Sequence, residues 1–218
     1  MTSPRKRVVV FISGGGSNML ALLEATRSAD FPAEIVAVFS DKASAGGLSK
    51  AAAAGIATFA FERKDYAGKA DHEAAILQAL ADIAPDFLCL AGYMRLLSGD
   101  FIRAYQGRIL NIHPSLLPLF PGLHTHQRAL DAGMRVAGCT VHFVTEGMDE
   151  GPIVAQAAVP ILVGDTADDL AARVLTVEHR TYALALRQVA GGQLRMLADG
   201  RVERLTGLCD ASATIVSA

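Results

Sequence analysis

Val8-Val9-Val10-Phe11-Ile12 runs straight into Ser13-Gly14-Gly15-Gly16-Ser17-Asn18, and Met19, Leu22, Leu23 and Thr26 follow at helical spacing. An unbroken apolar run of β-favouring residues is a strand buried on both faces. Such strands need helices packed on each side, so this opening unit confines the chain to an α/β architecture. The pattern then repeats. Strand-like runs at residues 35–39, 57–61, 87–90 and 108–113 alternate with helical stretches, of which 71–83 is the clearest. The alternation predicts a Rossmann-like, doubly wound, mostly parallel sheet. Beyond residue 138 the rhythm changes: 139–144 and 153–161 are strand-like without a convincing helix between them, so an antiparallel C-terminal addition is expected. Thr166 then reads as the N-cap of a helix reaching about Val189, with Asp168 and Asp169 in its first turn. Asp169 stands where a capping box prefers Glu or Gln. Gly191-Gly192 ends the helix, leaving residues 191–218 for a small hairpin and a tail. The expected organisation is a single domain over 1–218 with its core at about 6–190.

Composition narrows the function classes. Hydrophobic residues make up 51% and charged residues 19%, which supports a sizeable core and excludes a disordered chain. The net charge of −2, with acids and bases interspersed, provides no global field to draw nucleic acid or an anionic membrane. Any anionic ligand must be held by local geometry. Cys89, Cys139 and Cys209 are odd in number and widely spaced, as reduced thiols of a cytoplasmic protein would be. The basic Arg5-Lys6-Arg7 leads into an apolar run too short for a secretory segment, and no run reaches membrane-spanning length.

The glycine-rich turn between first strand and first helix suits a phosphate. Glycines let the backbone close around a ligand, and the helix start offers free N–H groups and the positive dipole end. A tight turn with no ligand is the bland alternative. A nicotinamide dehydrogenase would use Asp41, after the second strand, as its ribose acid. However, Met19 occupies the place of the third glycine of the dinucleotide fingerprint. No Lys-Ser/Thr follows the glycines, which argues against a nucleoside-triphosphate loop.

Asn111, His113 and Asp149 form the candidate catalytic set. Asn111 and His113 lie two residues apart at the end of a strand, so their side chains leave on one face, and Pro114 and Pro118 stop the strand and stiffen the turn. An amide can donate to a developing oxyanion, an imidazole can move a proton, and a carboxylate can keep the imidazole charged. Taken singly, Asn111 equally suits a strand-end backbone partner, His113 a packed core position and Asp149 the cap of the Gly151-Pro152 turn. His124 and His126 form an H-x-H pair at a helix start with no clustered Cys, Asp or Glu to complete a zinc set, so no metal is expected. His126 is a candidate support for the substrate amide; His142, His72 and His179 read as structural.

Residues 13–18, residues 91–98, the run from Asn111 to Pro118, and Val141-His142-Phe143-Val144 leading to Asp149 together resemble the folate-dependent formyltransferases. Specifically, they resemble the group that formylates phosphoribosylglycinamide. The resemblance covers roughly residues 6–190. It implies formyl transfer from 10-formyltetrahydrofolate to the amine of that substrate in purine biosynthesis, with Asn111, His113 and Asp149 catalytic. By the same resemblance Gly16, Ser17, Asn18 and Glu178 meet the phosphoribosylglycinamide. Lys69, Met94, Arg95, Leu96, Leu97, Asn111, Thr145 and Asp149 meet the folate. The implied partners are these small molecules, with no nucleic acid or membrane, in a monomer or homodimer. Two positions depart from the family. Lys69 stands where an arginine often holds the glutamate tail, losing a bidentate fork, and Leu175 replaces a polar residue near the phosphoribosyl group. A formyltetrahydrofolate hydrolase is the same-fold rival, but those enzymes usually carry an N-terminal regulatory domain before the first strand. Methionyl-tRNA formylating relatives need a further C-terminal domain and a basic surface. A folate- or phosphate-binding module is the non-enzyme alternative, weakened because all three reactive side chains are present.

Overall fold

The structure, a computed structural model, describes residues 4–204. Its main sheet has seven strands, β1 (Lys6–Ile12), β2 (Ala33–Ser40), β3 (Ala57–Ala60), β4 (Phe87–Leu90), β5 (Ile109–His113), β6 (Val136–Phe143) and β7 (Ile153–Pro160). Their spatial order is β3-β2-β1-β4-β5-β6-β7. The first five run parallel, and β6 pairs antiparallel with both β5 and β7. Six α-helices accompany them among the described residues: α1 (Ser17–Thr26), α2 (Gly46–Ala53), α3 (Lys69–Ile83), α4 (Gly99–Ala104), α5 (Thr125–Asp131) and, after β7, α6 (Ala167–Ala190). A separate antiparallel ribbon pairs β8 (Leu194–Met196) with β9 (Val202–Arg204). This is the doubly wound, mostly parallel sheet with an antiparallel C-terminal addition that the alternation implied. Cys209 and the expected tail at residues 205–218 lie outside the described residues.

The continuous apolar character of β1 follows from the layering. Val8, Val10 and Ile12 pack on one side with Leu22, Val174 and Leu186, while Val9 and Phe11 pack on the other with Ile76, Leu80 and Phe101. With helices on both faces, the positions from Val8 to Ile12 are all buried, and only Lys6 and Arg7 at the strand's start are exposed. Each such side chain contributes roughly 1.5–3 kcal/mol by leaving water. The chain winds outward from β1 to β3, then restarts at β4 and winds the other way. Open α/β sheets hold ligands at that reversal, beyond the carboxyl ends of the strands. Here the two loops at the reversal are tied together. Ser13 N–H donates to the Gly92 carbonyl (3.1 Å), and Met94 N–H donates to the Ser13 hydroxyl (2.9 Å).

Local expectations were met unevenly. Asp169 does complete the capping box: its N–H donates to Thr166 Oγ1 at 3.2 Å, and its carboxylate accepts from Thr166 N–H at 3.0 Å. The shorter acid therefore reaches as far as Glu would. The third strand ends at Ala60 rather than at residue 61, and it is a mostly exposed edge. Helices α2 and α4 were not expected. The first opens on Gly46-Gly47, and glycine is a poor helix former; the second is only six residues long. The Leu117–Pro118 peptide bond is cis.

Tyr182 on α6 binds two strands beside the site. It is fully buried, and its hydroxyl faces the carbonyls of Leu90 in β4 and Leu110 in β5, at 3.1 Å and 3.0 Å. Tyr182→Phe keeps the packing and deletes this donor. The expected cost is about 1 kcal/mol, seen as a lower urea midpoint with an unchanged slope. An unchanged midpoint would show that the bridge contributes nothing.

Candidate active site

Beyond the carboxyl ends of β1, β4 and β5 lie three groups of side chains, one from each loop. The first is the glycine turn. Gly16 has a left-handed backbone (φ 71°), and a Cβ there would lie 2.9 Å from Met19 Cε and 3.1 Å from Gly47 Cα, so glycine is required. No side chain caps the start of α1, whose first-turn N–H groups stand at the turn. Asn18, in that turn, meets Glu178 of α6: its Nδ2 donates to Glu178 Oε2 at 2.6 Å. The Asn18 Oδ1 is buried without a protein partner among the described residues. Burial pushes the Glu178 carboxyl above its ordinary range, against the opposing bond from Asn18. Gly16, Ser17, Asn18 and Glu178 are thus gathered at one place, though 160 positions separate Asn18 from Glu178.

The second group follows β4. Tyr93, Arg95, Leu96 and Leu97 line a cleft of about 150 Å³ together with Arg63, Lys69, His72 and Glu73. Met94 and Leu96 are each 67% exposed in the one loop, apolar surface that a flat apolar ligand would cover. Arg95 Nε donates to the buried Asp41 Oδ2 at 2.7 Å. That pair engages the one acid a dinucleotide-binding reading relied on. Lys69 lies 3.7 Å from Glu73, whose carboxylate also accepts from Ser98 N–H at 2.9 Å. Lys69 and the residues 95–97 therefore share one cleft, and Arg63 joins them as a lining residue absent from the expected set.

The third group brings Asn111, His113 and Asp149 together. Leu110 and Ile112 of β5 point into the core under α6, which leaves Asn111 and His113 on the opposite face. His113 is buried and lies between two acceptors. Its Nε2 donates to the Phe120 carbonyl at 3.0 Å, and its Nδ1 stands 3.4 Å from Asp149 Oδ2. The longer distance makes the second contact a charge contact more than a hydrogen bond. Asp149 has a left-handed backbone (φ 57°), a conformation that Asp tolerates better than most residues. Its Oδ2 also accepts from Gly122 N–H at 2.8 Å, fastening the loop that carries Phe120. That loop is held from below as well: Thr140 Oγ1 accepts from Leu117 N–H and donates to the Ser115 carbonyl. Thr145 opens the loop to Asp149.

His142, expected to be structural, belongs to this group. It faces Asn111 directly across the β5–β6 pairing, and its Nε2 is 3.2 Å from Asn111 Nδ2 and 3.8 Å from Asp149 Oδ1. Burial holds its pKa below the ordinary histidine value. Only the strand register could have revealed this contact, and the register is not visible in a periodicity. His126, in α5, also has its pKa lowered, first by burial and then by His113. His72 is packed: its Nε2 meets the Phe61 carbonyl at 2.8 Å and its ring meets Tyr66 edge-on. Cys89 and Cys139 are buried thiols pushed up to about 12 and about 11 by that burial, so neither is a nucleophile. Among the described residues, no group of three or more His, Cys, Asp or Glu is placed to hold a metal. Among the same residues no helix is long and apolar enough to cross a membrane.

The formyl transferase family matches residues 6–186. The phosphoribosylglycinamide formyltransferase of Escherichia coli (strain K12) is 46% identical over 189 residues, which are 87% of this chain and 89% of that protein. The crystal structure of phosphoribosylglycinamide formyltransferase from Brucella melitensis is 65% identical with a TM-score of 0.86, covering 98% of this chain and 100% of that one. The trifunctional purine biosynthetic protein adenosine-3 of Bos taurus is 48% identical over 91% of this chain, which spans only 20% of that longer protein. The chain belongs to the formyl transferase family, and its near relatives there are phosphoribosylglycinamide formyltransferases.

Proposed function

We propose that this chain transfers a formyl group from 10-formyltetrahydrofolate to the amine of 5'-phosphoribosylglycinamide. The products are formylglycinamide ribonucleotide and tetrahydrofolate, a step of purine biosynthesis. The observation that carries this reading is the convergence of Asn111, His113 and Asp149 beyond the carboxyl end of β5, in the sheet that also carries the glycine turn after β1 and the cleft after β4. The glycine turn suits a phosphate, the exposed apolar residues after β4 suit a flat ring, and the reactive side chains stand on the neighbouring strand end.

The substrate phosphate rests on the backbone of Gly16, Ser17 and Asn18, where the α1 dipole compensates for a chain without excess positive charge. Glu178 and the unpartnered Asn18 Oδ1 receive ribose hydroxyls or the glycinamide end. Met94, Leu96 and Leu97 give the folate ring apolar walls, with Thr145 and Asp149 opposite and Lys69 toward the glutamate tail. Holding both reactants in one cleft removes most of the entropic barrier to their meeting.

The amine nitrogen then attacks the formyl carbon, and the carbonyl π pair moves to oxygen. Asn111 Nδ2–H donates to that oxygen as its charge grows. His113 in its doubly protonated form, with acceptors at both nitrogens, adds positive charge next to it. Collapse breaks the bond between the formyl carbon and the folate nitrogen. The Nε2 proton passes to that nitrogen once the ligand replaces the Phe120 carbonyl as its acceptor. The proton lost by the amine leaves through water to Asp149.

Asn111→Ala is expected to reduce turnover by ~10²–10³-fold, the usual loss for one oxyanion donor. Asp149→Asn is expected to lower turnover by orders of magnitude while folate binding persists. Mass spectrometry of the product, beside a control lacking the amine, reports both variants. Wild-type turnover in either variant would remove its assigned role. Equal formate release with and without the amine would make the enzyme a hydrolase.

Glu178 generates a second expectation. Its carboxyl titrates higher folded than unfolded, so the folded state binds the proton more tightly. Stability is therefore greatest below the ordinary carboxyl range and falls as pH rises through the window up to the folded value. Glu178→Gln lacks this dependence, so its stability relative to wild type should improve from acid to neutral pH in urea titrations. A difference independent of pH would contradict the burial assigned to Glu178.

A further inference from the structure

We propose that His142 is a positioning residue that sets which end of the Asn111 amide is presented to the reacting oxygen. The inference deepens the reading above and rests on it. An asparagine amide has a donor end and an acceptor end of nearly equal shape, and a 180° turn exchanges them. An oxyanion is stabilised by the donor end and repelled by the acceptor end, so the orientation must be enforced by a neighbour.

His142 can enforce it because its own proton is placed by the backbone. Its Nδ1 lies 3.0 Å from the Phe143 carbonyl, a group that only accepts, so Nδ1 carries the hydrogen of the neutral ring. The Nε2 is then a bare acceptor, 3.2 Å from Asn111 Nδ2. One amide hydrogen is engaged there, and the second remains for the reacting oxygen. The alternative orientation would set the Asn111 carbonyl against the Nε2 lone pair.

The charged groups facing His142 work in opposite directions. Asp149 Oδ1, 3.8 Å from Nε2, attracts a proton to that nitrogen, which would turn the acceptor into a donor and release Asn111. Burial and the nearby His113 both oppose that protonation. The β5–β6 pairing places Asn111 and His142 opposite one another, so a change of register would break the contact.

The test is a double-mutant cycle on the single-turnover rate of formyl transfer, with wild type, Asn111→Ala, His142→Leu and the double variant. We expect His142→Leu to slow transfer about tenfold or more, below the ~10²–10³-fold loss of the donor itself. KM for both substrates should hold. In the Asn111→Ala background the same change should cost nothing further, because the group it orients is gone. His142→Gln, which keeps an acceptor, should recover part of the rate. Losses that add in full across the cycle, or a wild-type rate in His142→Leu, would overturn the positioning role while leaving the site intact. No effect of Asn111→Ala would instead sink the underlying reading. Nitrogen-15 NMR of the wild-type protein needs no variant. It should show His142 protonated at Nδ1 and bare at Nε2 near neutral pH, and a proton on Nε2 would refute the proposal.

Discussion

The antiparallel pairing of β6 on β5 is the constraint on which the site depends. In a purely parallel sheet the strand after β5 would leave in the same direction, and the residues following it would emerge beside His113. Because β6 runs the other way, its carboxyl end is instead carried past Leu110 and Asn111, with His142 directly opposite Asn111. The chain then turns back through residues 144–152 into β7, and that turn delivers Asp149 to His113. The turn closes tightly. Phe143 N–H donates to the Pro152 carbonyl at 2.9 Å, and a Cβ on Gly151 would lie 1.7 Å from the Phe143 oxygen. Only glycine fits there, so the return into β7 requires it.

Around that reversal, short-range bonds do the work that net charge cannot. A chain with a formal charge of −2 must hold anionic ligands by dipoles and backbone N–H groups. The glycine turn supplies these, and the Ser13 bonds to Gly92 and Met94 keep it in register with the second loop. Asp149 likewise has two tasks. It faces His113, and it fastens Gly122, so the carboxylate beside the imidazole also holds the loop bearing the Phe120 carbonyl.

Much of the fold was legible because its determinants are local. The apolar run of β1, the glycine turn and the Thr166 cap each declare themselves within a few residues. Helix α2 was not legible, because glycine is a poor helix former and Gly46-Gly47 opens it, while here Gly47 packs against Ile12 and the Gly14 carbonyl. The candidate site was legible through the order of its segments and through residue chemistry at Asn111, His113 and Asp149. His142 was not. Its part depends on a partner 31 positions away across a strand pair, and nothing in its immediate sequence marks that contact. Asp41 belongs to the rejected dinucleotide-binding alternative: it stands where a ribose acid would, and the fold gives it another partner, Arg95.

The most direct test of the account is a crystal structure of the protein with phosphoribosylglycinamide and a non-transferable formyl-folate analogue both bound. The phosphate is expected on the N–H groups of residues 16–18 and the ring between residues 94–97 and 145–149. The amine and the formyl carbon are expected within ~3–3.5 Å of each other, with the formyl oxygen accepting from Asn111 and His113 turned from the Phe120 carbonyl to the folate nitrogen. A phosphate bound elsewhere, or a formyl group out of reach of both Asn111 and His113, would contradict it.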